Sequence, residues 1–146
     1  MTRPSQSLIV TMVSRLLARL IQIFALYVIF HGHYSPGGGF QGGALLAASI
    51  LLLRMSDGKE ASQRYFKSSL AIPLGAAGVL IFAGIGILTI FGGGDFLNYQ
   101  HTALLGLEPA QMRSLDILIV EVGVGLAVMS VLISIFDDLA EGGRDA

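Results

Sequence analysis

The chain carries four long apolar stretches in series, at about residues 8–30, 36–54, 70–91 and 114–136. A helix needs about 20 apolar residues to cross a hydrocarbon core. In that core every backbone polar group must be satisfied internally, which helices achieve within one segment. Only 13% of residues are charged and the mean hydropathy is +0.73, against about 25% charge in an average soluble domain. The pattern predicts an all-α membrane protein, one four-helix integral membrane domain over residues 1–146. The first stretch is too long for a cleavable signal core of about 7–15 residues and contains Arg15 and Arg19. It reads as a retained helix.

Four crossings put both termini and the middle loop on one side. That side collects Arg3, Arg15, Arg19, Arg54, Lys59, Arg64, Lys67 and Arg144, and the other holds Arg113. Lys and Arg concentrate on the cytoplasmic face, so we expect an N-in/C-in topology. The chain has no cysteine, which excludes disulfides and thiolate metal sites. With no tryptophan, an aromatic belt falls to Tyr27, Tyr34, Tyr65 and Tyr99.

The second stretch is the unusual one. Pro36, Gly37, Gly38, Gly39, Phe40, Gln41, Gly42 and Gly43 open it, and only Ala44 to Leu53 lie between the last glycine and Arg54. Those ten residues cover about 15 Å at helical rise, half a bilayer core. The glycine segment must supply the rest, either as glycine-rich helix or as a break covered by other protein or by a wet cavity. Broken, glycine-rich spans point to ion or substrate sites in transporters. Gly38/Gly42 and Gly39/Gly43 also have the spacing of close helix packing. The formal G-x-G-x-x-G match lacks the preceding strand of a dinucleotide site, since the element before it is an apolar membrane stretch. In the third stretch, Pro73 falls in the first turn, where proline is tolerated. Gly75, Gly78, Gly84 and Gly86 suggest tight neighbours there. Phe96 and Leu97, with Leu104, Leu105 and Leu107, suit an interfacial loop, and Glu108-Pro109 the entry to the last helix.

Glu121 is the leading polar candidate, about 10 Å into the fourth span. Intramembrane carboxylates usually face a bundle interior or a wet path, so Glu121 reads as an ion-path or coupling residue, or as a structural partner to a neighbouring chain. Gly125, one turn on, lets another backbone approach and is a subunit-interface candidate. Asp116 lies about 140° around the helix from Glu121, and we expect it solvated or capping at the interface. Arg15, Arg19 and Gln22 share one face. Arg15 can snorkel, whereas Arg19 and Gln22 suggest a polar seam toward another subunit. His31 and His33 offer no third ligand, so no metal site is expected. No cofactor, nucleic-acid surface or enzymatic constellation is legible. The run Asp137-Asp138-Leu139-Ala140-Glu141 reads as a solvated cytoplasmic tail.

Gly32-His33, the run Pro36-Gly-Gly-Gly-Phe40-Gln-Gly-Gly43, and Asp116-Ile-Leu-Ile-Val-Glu121-Val-Gly-Val-Gly125 together resemble the B subunit of Mrp-type monovalent cation/proton antiporters, the MnhB family. The resemblance covers nearly the whole chain. It implies a small subunit in a bacterial inner-membrane hetero-oligomer that exports Na⁺ in exchange for H⁺. Its partners would be the other Mrp subunits, including large subunits similar to those of respiratory complex I. It assigns the motif to His33, Pro36, Gly37, Gly38, Gly39, Phe40, Gly42 and Gly43, with His33 joining Glu121 as an ion-path candidate and Phe40 at an interface or gate. Related subunits occur in membrane-bound hydrogenases, which leaves that context open, and a free-standing four-helix transporter is a further alternative.

Overall fold

The computed structural model describes residues 7–32, 38–99 and 109–142. Helix α1 spans Leu8–His31, α2 Gly39–Asp57, α3 Lys59–Ser62, α4 Ala71–Phe91 and α5 Pro109–Gly142, with a 3₁₀ turn at Ser68–Leu70 before α4. Among the described residues, four helices are long and apolar enough to cross a membrane, and there is no strand.

The helix ends follow local chemistry. Gly38 opens α2 at φ +102° and Gly58 closes it at φ +85°, backbone conformations that a Cβ disfavours. Proline occupies the first position of α5, where a missing N–H costs nothing. Beyond α4 the chain folds back on its own helix. The Leu97 N–H donates to Thr89 Oγ1 at 2.9 Å, and the Phe96 ring fills a notch left by Gly86 and meets Phe82 edge-on at 6.0 Å.

The four long helices form a row in the order α1–α2–α5–α4. The α1 face toward α2 is a stripe of Ser14, Ala18, Ala25 and Ile29, small residues over most of its length, as close packing in membranes favours. Helix α5 is wedged between α2 and α4. It runs parallel to α2, since Gly39 meets Glu121 and Gly43 meets Gly125, and antiparallel to α4, where Gly78 meets Gly123 and Ala127 while Gly75 meets Ser130. Of the four α4 glycines, Gly84 alone faces open space. Toward the α3 end, Ala47, Ile50, Met129 and Ile133 make a buried apolar core. The outer helices keep broad apolar faces exposed, including Ile9, Met12, Leu16 and Ile23 on α1 and Ile72, Leu80 and Phe91 on α4.

Two expected boundaries shift. Helix α2 runs unbroken from Gly39 for 19 residues, about 28 Å at helical rise, so it gains crossing length by continuing past Arg54. Helix α5 continues through residues 137–142. The acidic run is therefore helical, and Asp137 is 5% exposed. Among its described residues only the first leaves solvent, because Asp137 turns toward Arg54 of α2, while Asp138 and Leu139 stay exposed.

Candidate functional site

Three helices converge at the glycine end. Gly39 and Gly43 lie one turn apart on α2, opposite Glu121 and Gly125, one turn apart on α5. A Cβ at Gly39 would strike the Glu121 carbonyl oxygen, and one at Gly43 would sit 2.5 Å from that of Gly125. Gly42 faces the other way, against the Ile29 side chain and the Ala25 carbonyl of α1. The first turns of α2 thus pack backbone-close on both neighbours. Gly125 is buried against Gly39 and Ile29 of its own chain. Within the chain, the backbone that approaches it is α2.

The Glu121 carboxylate occupies the notch between the end of α1 and the start of α2. A Cβ on Gly38 would stand 2.6 Å from Glu121 Oε1, and one on Gly32 would collide with the same carboxylate. The group is half-buried at the amino-terminal end of α2, where the helix dipole and the first N–H groups attract negative charge. Asp116 is 1% exposed, which corrects its expected solvation: it lies on the buried side of α5. Tyr99, beyond α4, is half-buried, and its phenol is pushed above the ordinary tyrosine value by burial first and then by the negative charges of Asp116 and Glu121. The two carboxylates diverge around α5, yet both act on one hydroxyl.

The remaining candidates scatter. His33, Pro36 and Gly37 lie outside the described residues. Phe40, 65% exposed, and Gln41 stand on the outer surface of α2. Arg19 is exposed on α1 and Gln22 is half-buried. Arg15 reaches Asp57 at the end of α2, Nε to Oδ2 2.9 Å, an ion pair where snorkelling was expected. Among the described residues no three His, Asp or Glu side chains group as a metal site requires.

A second polar centre, unexpected from sequence, lies at the opposite end. Arg54, counted above among the charges of the cytoplasmic side, is 1% exposed and forms an ion pair with Asp137. Its Nη1 also donates to Ser68 Oγ at 3.4 Å. Asp116, Gly123, Ser130 and Asp137 recur every seven residues on α5 and are all buried. That spacing, drifting only about 20° per step, is the signal that could have marked Asp116 and Asp137 as inward-facing.

Fold and site together define a small multi-pass membrane protein built to pack tightly and to hold carboxylates inside. A sequence profile described as "Domain related to MnhB subunit of Na+/H+ antiporter" matches residues 9–134, and the chain belongs to that family. It is 28% identical over 132 residues to "Putative antiporter subunit mnhB2" of Staphylococcus aureus strain Newman, covering 90% of this chain and 92% of the relative. The same figures hold for the proteins of strains JH1 and COL. The chain is thus an antiporter-type component and a multi-pass protein of the bacterial cell membrane.

Proposed function

We propose that this chain is an assembly and path-lining subunit of a hetero-oligomeric antiporter that exports Na⁺ in exchange for H⁺. Its glycine end faces outward, and both termini, with the Arg54 end, face the cytoplasm, following the Lys and Arg distribution. The observation that carries the reading is the Glu121 carboxylate seated on Gly32 and Gly38 where α1, α2 and α5 meet. A half-buried carboxylate at the junction of three helices, beside the first turn of α2, can accept a proton or steady a passing cation there.

Its partners are the other subunits of an Mrp-type complex, including the large complex-I-like ones. They cover the exposed face of α1 and the side of α4 away from the α5 groove, and take up Arg19, whose charge near the middle of a span costs about 2.5–3.5 kcal/mol if left to lipid. Phe40 packs at one of these contacts. His33 and Pro36 belong to the same outward-facing end by sequence position.

The test is exchange by the intact complex in everted vesicles carrying Glu121→Gln or Phe40→Ala. Complex that assembles normally but loses cation-driven ΔpH with Glu121→Gln supports the path-lining role. Assembly and exchange equal to wild type in both variants overturn it.

A further inference from the structure

Two openings lie along the groove between α4 and α5, and neither is part of the Glu121 site. The first is a cleft of about 340 Å³ at the Arg54 end. Lys59 and Gln63 lie on one side of it, Ser68 and Ile72 on another, and Ser134, Asp137 and Asp138 on α5. The second is a hollow of about 210 Å³ farther along the same helices, lined by Gly78, Val79, Phe82, Val124, Ala127 and Val128. None of those six side chains is polar.

The two openings share a face. Ile72 and Val79 are seven residues apart on α4, and Ser134 and Ala127 seven apart on α5, so each pair lies on one stripe of its helix. Seven residues span about 10 Å at helical rise, within the roughly 15 Å of one leaflet's hydrocarbon. Exposed Val131 lies between the openings on α5 and Ile72, 79% exposed, flanks the cleft on α4. A polar cleft at a helix end, followed within one leaflet by an apolar hollow, has the layout of one phospholipid.

The charges select the head group. Asp137 is matched by Arg54, yet it lines the cleft and both its oxygens are buried without a hydrogen-bond partner. The cleft adds one ammonium, Lys59, and one more carboxylate, Asp138. An anionic head group alone would set its phosphate beside two carboxylates. A quaternary ammonium has no N–H to give Asp137. A primary ammonium joined to a phosphodiester supplies both parts, with N–H donors for Asp137 Oδ2 and Asp138 and phosphate oxygens for Lys59. Basic pockets between membrane helices bind anionic head groups; this cleft sets carboxylates beside Lys59 and so suits a head group that carries both charges.

We infer that the α4–α5 groove binds one ethanolamine phospholipid, its head group in the Lys59/Asp137/Asp138 cleft and an acyl chain in the hollow around Val79. This needs only a membrane location and stands apart from the transport role.

The experiment is native mass spectrometry of the tagged chain, purified in mild detergent with the partners that accompany it. Wild type, Asp138→Asn and Val79→Trp are compared, and delipidated samples are re-exposed to vesicles of phosphatidylethanolamine or of phosphatidylglycerol. The expected result is a retained ethanolamine lipid that both variants lower several-fold and that only phosphatidylethanolamine vesicles restore. A photo-crosslinker at Val131, exposed and between the two openings, should label lipid. No retained lipid, equal retention in the variants, equal restoration by phosphatidylglycerol, or crosslinking of position 131 to a neighbouring protein overturns the inference.

Discussion

Gly39 and Gly84 are the same residue type in helices of the same membrane domain, yet the space around them is opposite. A methyl group at Gly39 meets the α5 backbone, and one at Gly84 meets nothing within 4 Å. Overpacking costs about 1–3 kcal/mol where neighbours cannot move, and backbone is the least able to. We therefore expect Gly39→Ala to lower the melting temperature of the purified complex and Gly84→Ala to leave it unchanged, measured by thermal unfolding in detergent. At the other end, Asp137→Asn strands the buried Arg54 charge, and breaking such a pair costs about 3–5 kcal/mol. Replacing both, as Arg54→Met with Asp137→Leu, should cost less than the sum of the single changes, and additive losses in a double-mutant cycle would refute the pairing. Tyr99 gives a pH-dependent reading. Its raised value means that its contribution to stability is intact below the ordinary tyrosine range of about 10 and is lost as pH rises through the folded value. In a variant with Tyr27, Tyr34 and Tyr65 changed to Phe, absorbance titration should place Tyr99 above that range. Asp116→Asn and Glu121→Gln should each bring it down.

Among elements, α5 carries the most consequence. Its 34 residues extend about 51 Å, beyond a hydrocarbon core of about 30 Å, so it presents carboxylates at two levels. Glu121 and Asp137 are 16 residues apart, about 24 Å along the axis, and each is met by a different end of α2: Glu121 by the glycine turns and Asp137 by Arg54. The parallel α2–α5 pair is therefore pinned at both ends, by backbone contact at one and by charge at the other. A cross-link between introduced cysteines at Gly75 and Ser130 should form readily, since a Cβ at Gly75 would stand 3.2 Å from that of Ser130, near the separation of about 3.8 Å in a disulfide. One between Gly84 and Gly125 should not. Reversal of that pattern would place α5 differently.

At the scale of the molecule, a row of helices has two outer members with little to pack against. Helices α1 and α4 each touch chiefly one long neighbour and expose large apolar side chains on the rest of their surface. Lipid or other subunits must cover these faces. Arg19, exposed on α1, argues that part of the cover is protein. We expect Arg19→Ala to lower the yield of intact complex in native gels while the chain itself still inserts. Unchanged assembly would leave Arg19 to the lipid interface.

The sequence by itself determined the class, the number of crossings and the family. Length and hydropathy set which segments can cross a bilayer, and the glycine motif and the Glu121 segment are each contiguous in the chain. It also marked glycine pairs able to bring backbones together, because spacing along a helix is local geometry. What it could not supply was the order of the helices. Only the tertiary row, with α5 inserted between α2 and α4, put Glu121 on glycines that lie far earlier in the chain, turned Gly125 inward and gave Arg54 its partner in a segment that read as a solvated tail. Charge in a sequence reads as solvated until a partner from elsewhere in the chain is known. Long-range pairing is decided by how whole helix faces pack, and that information is spread over all of them rather than written beside any one residue.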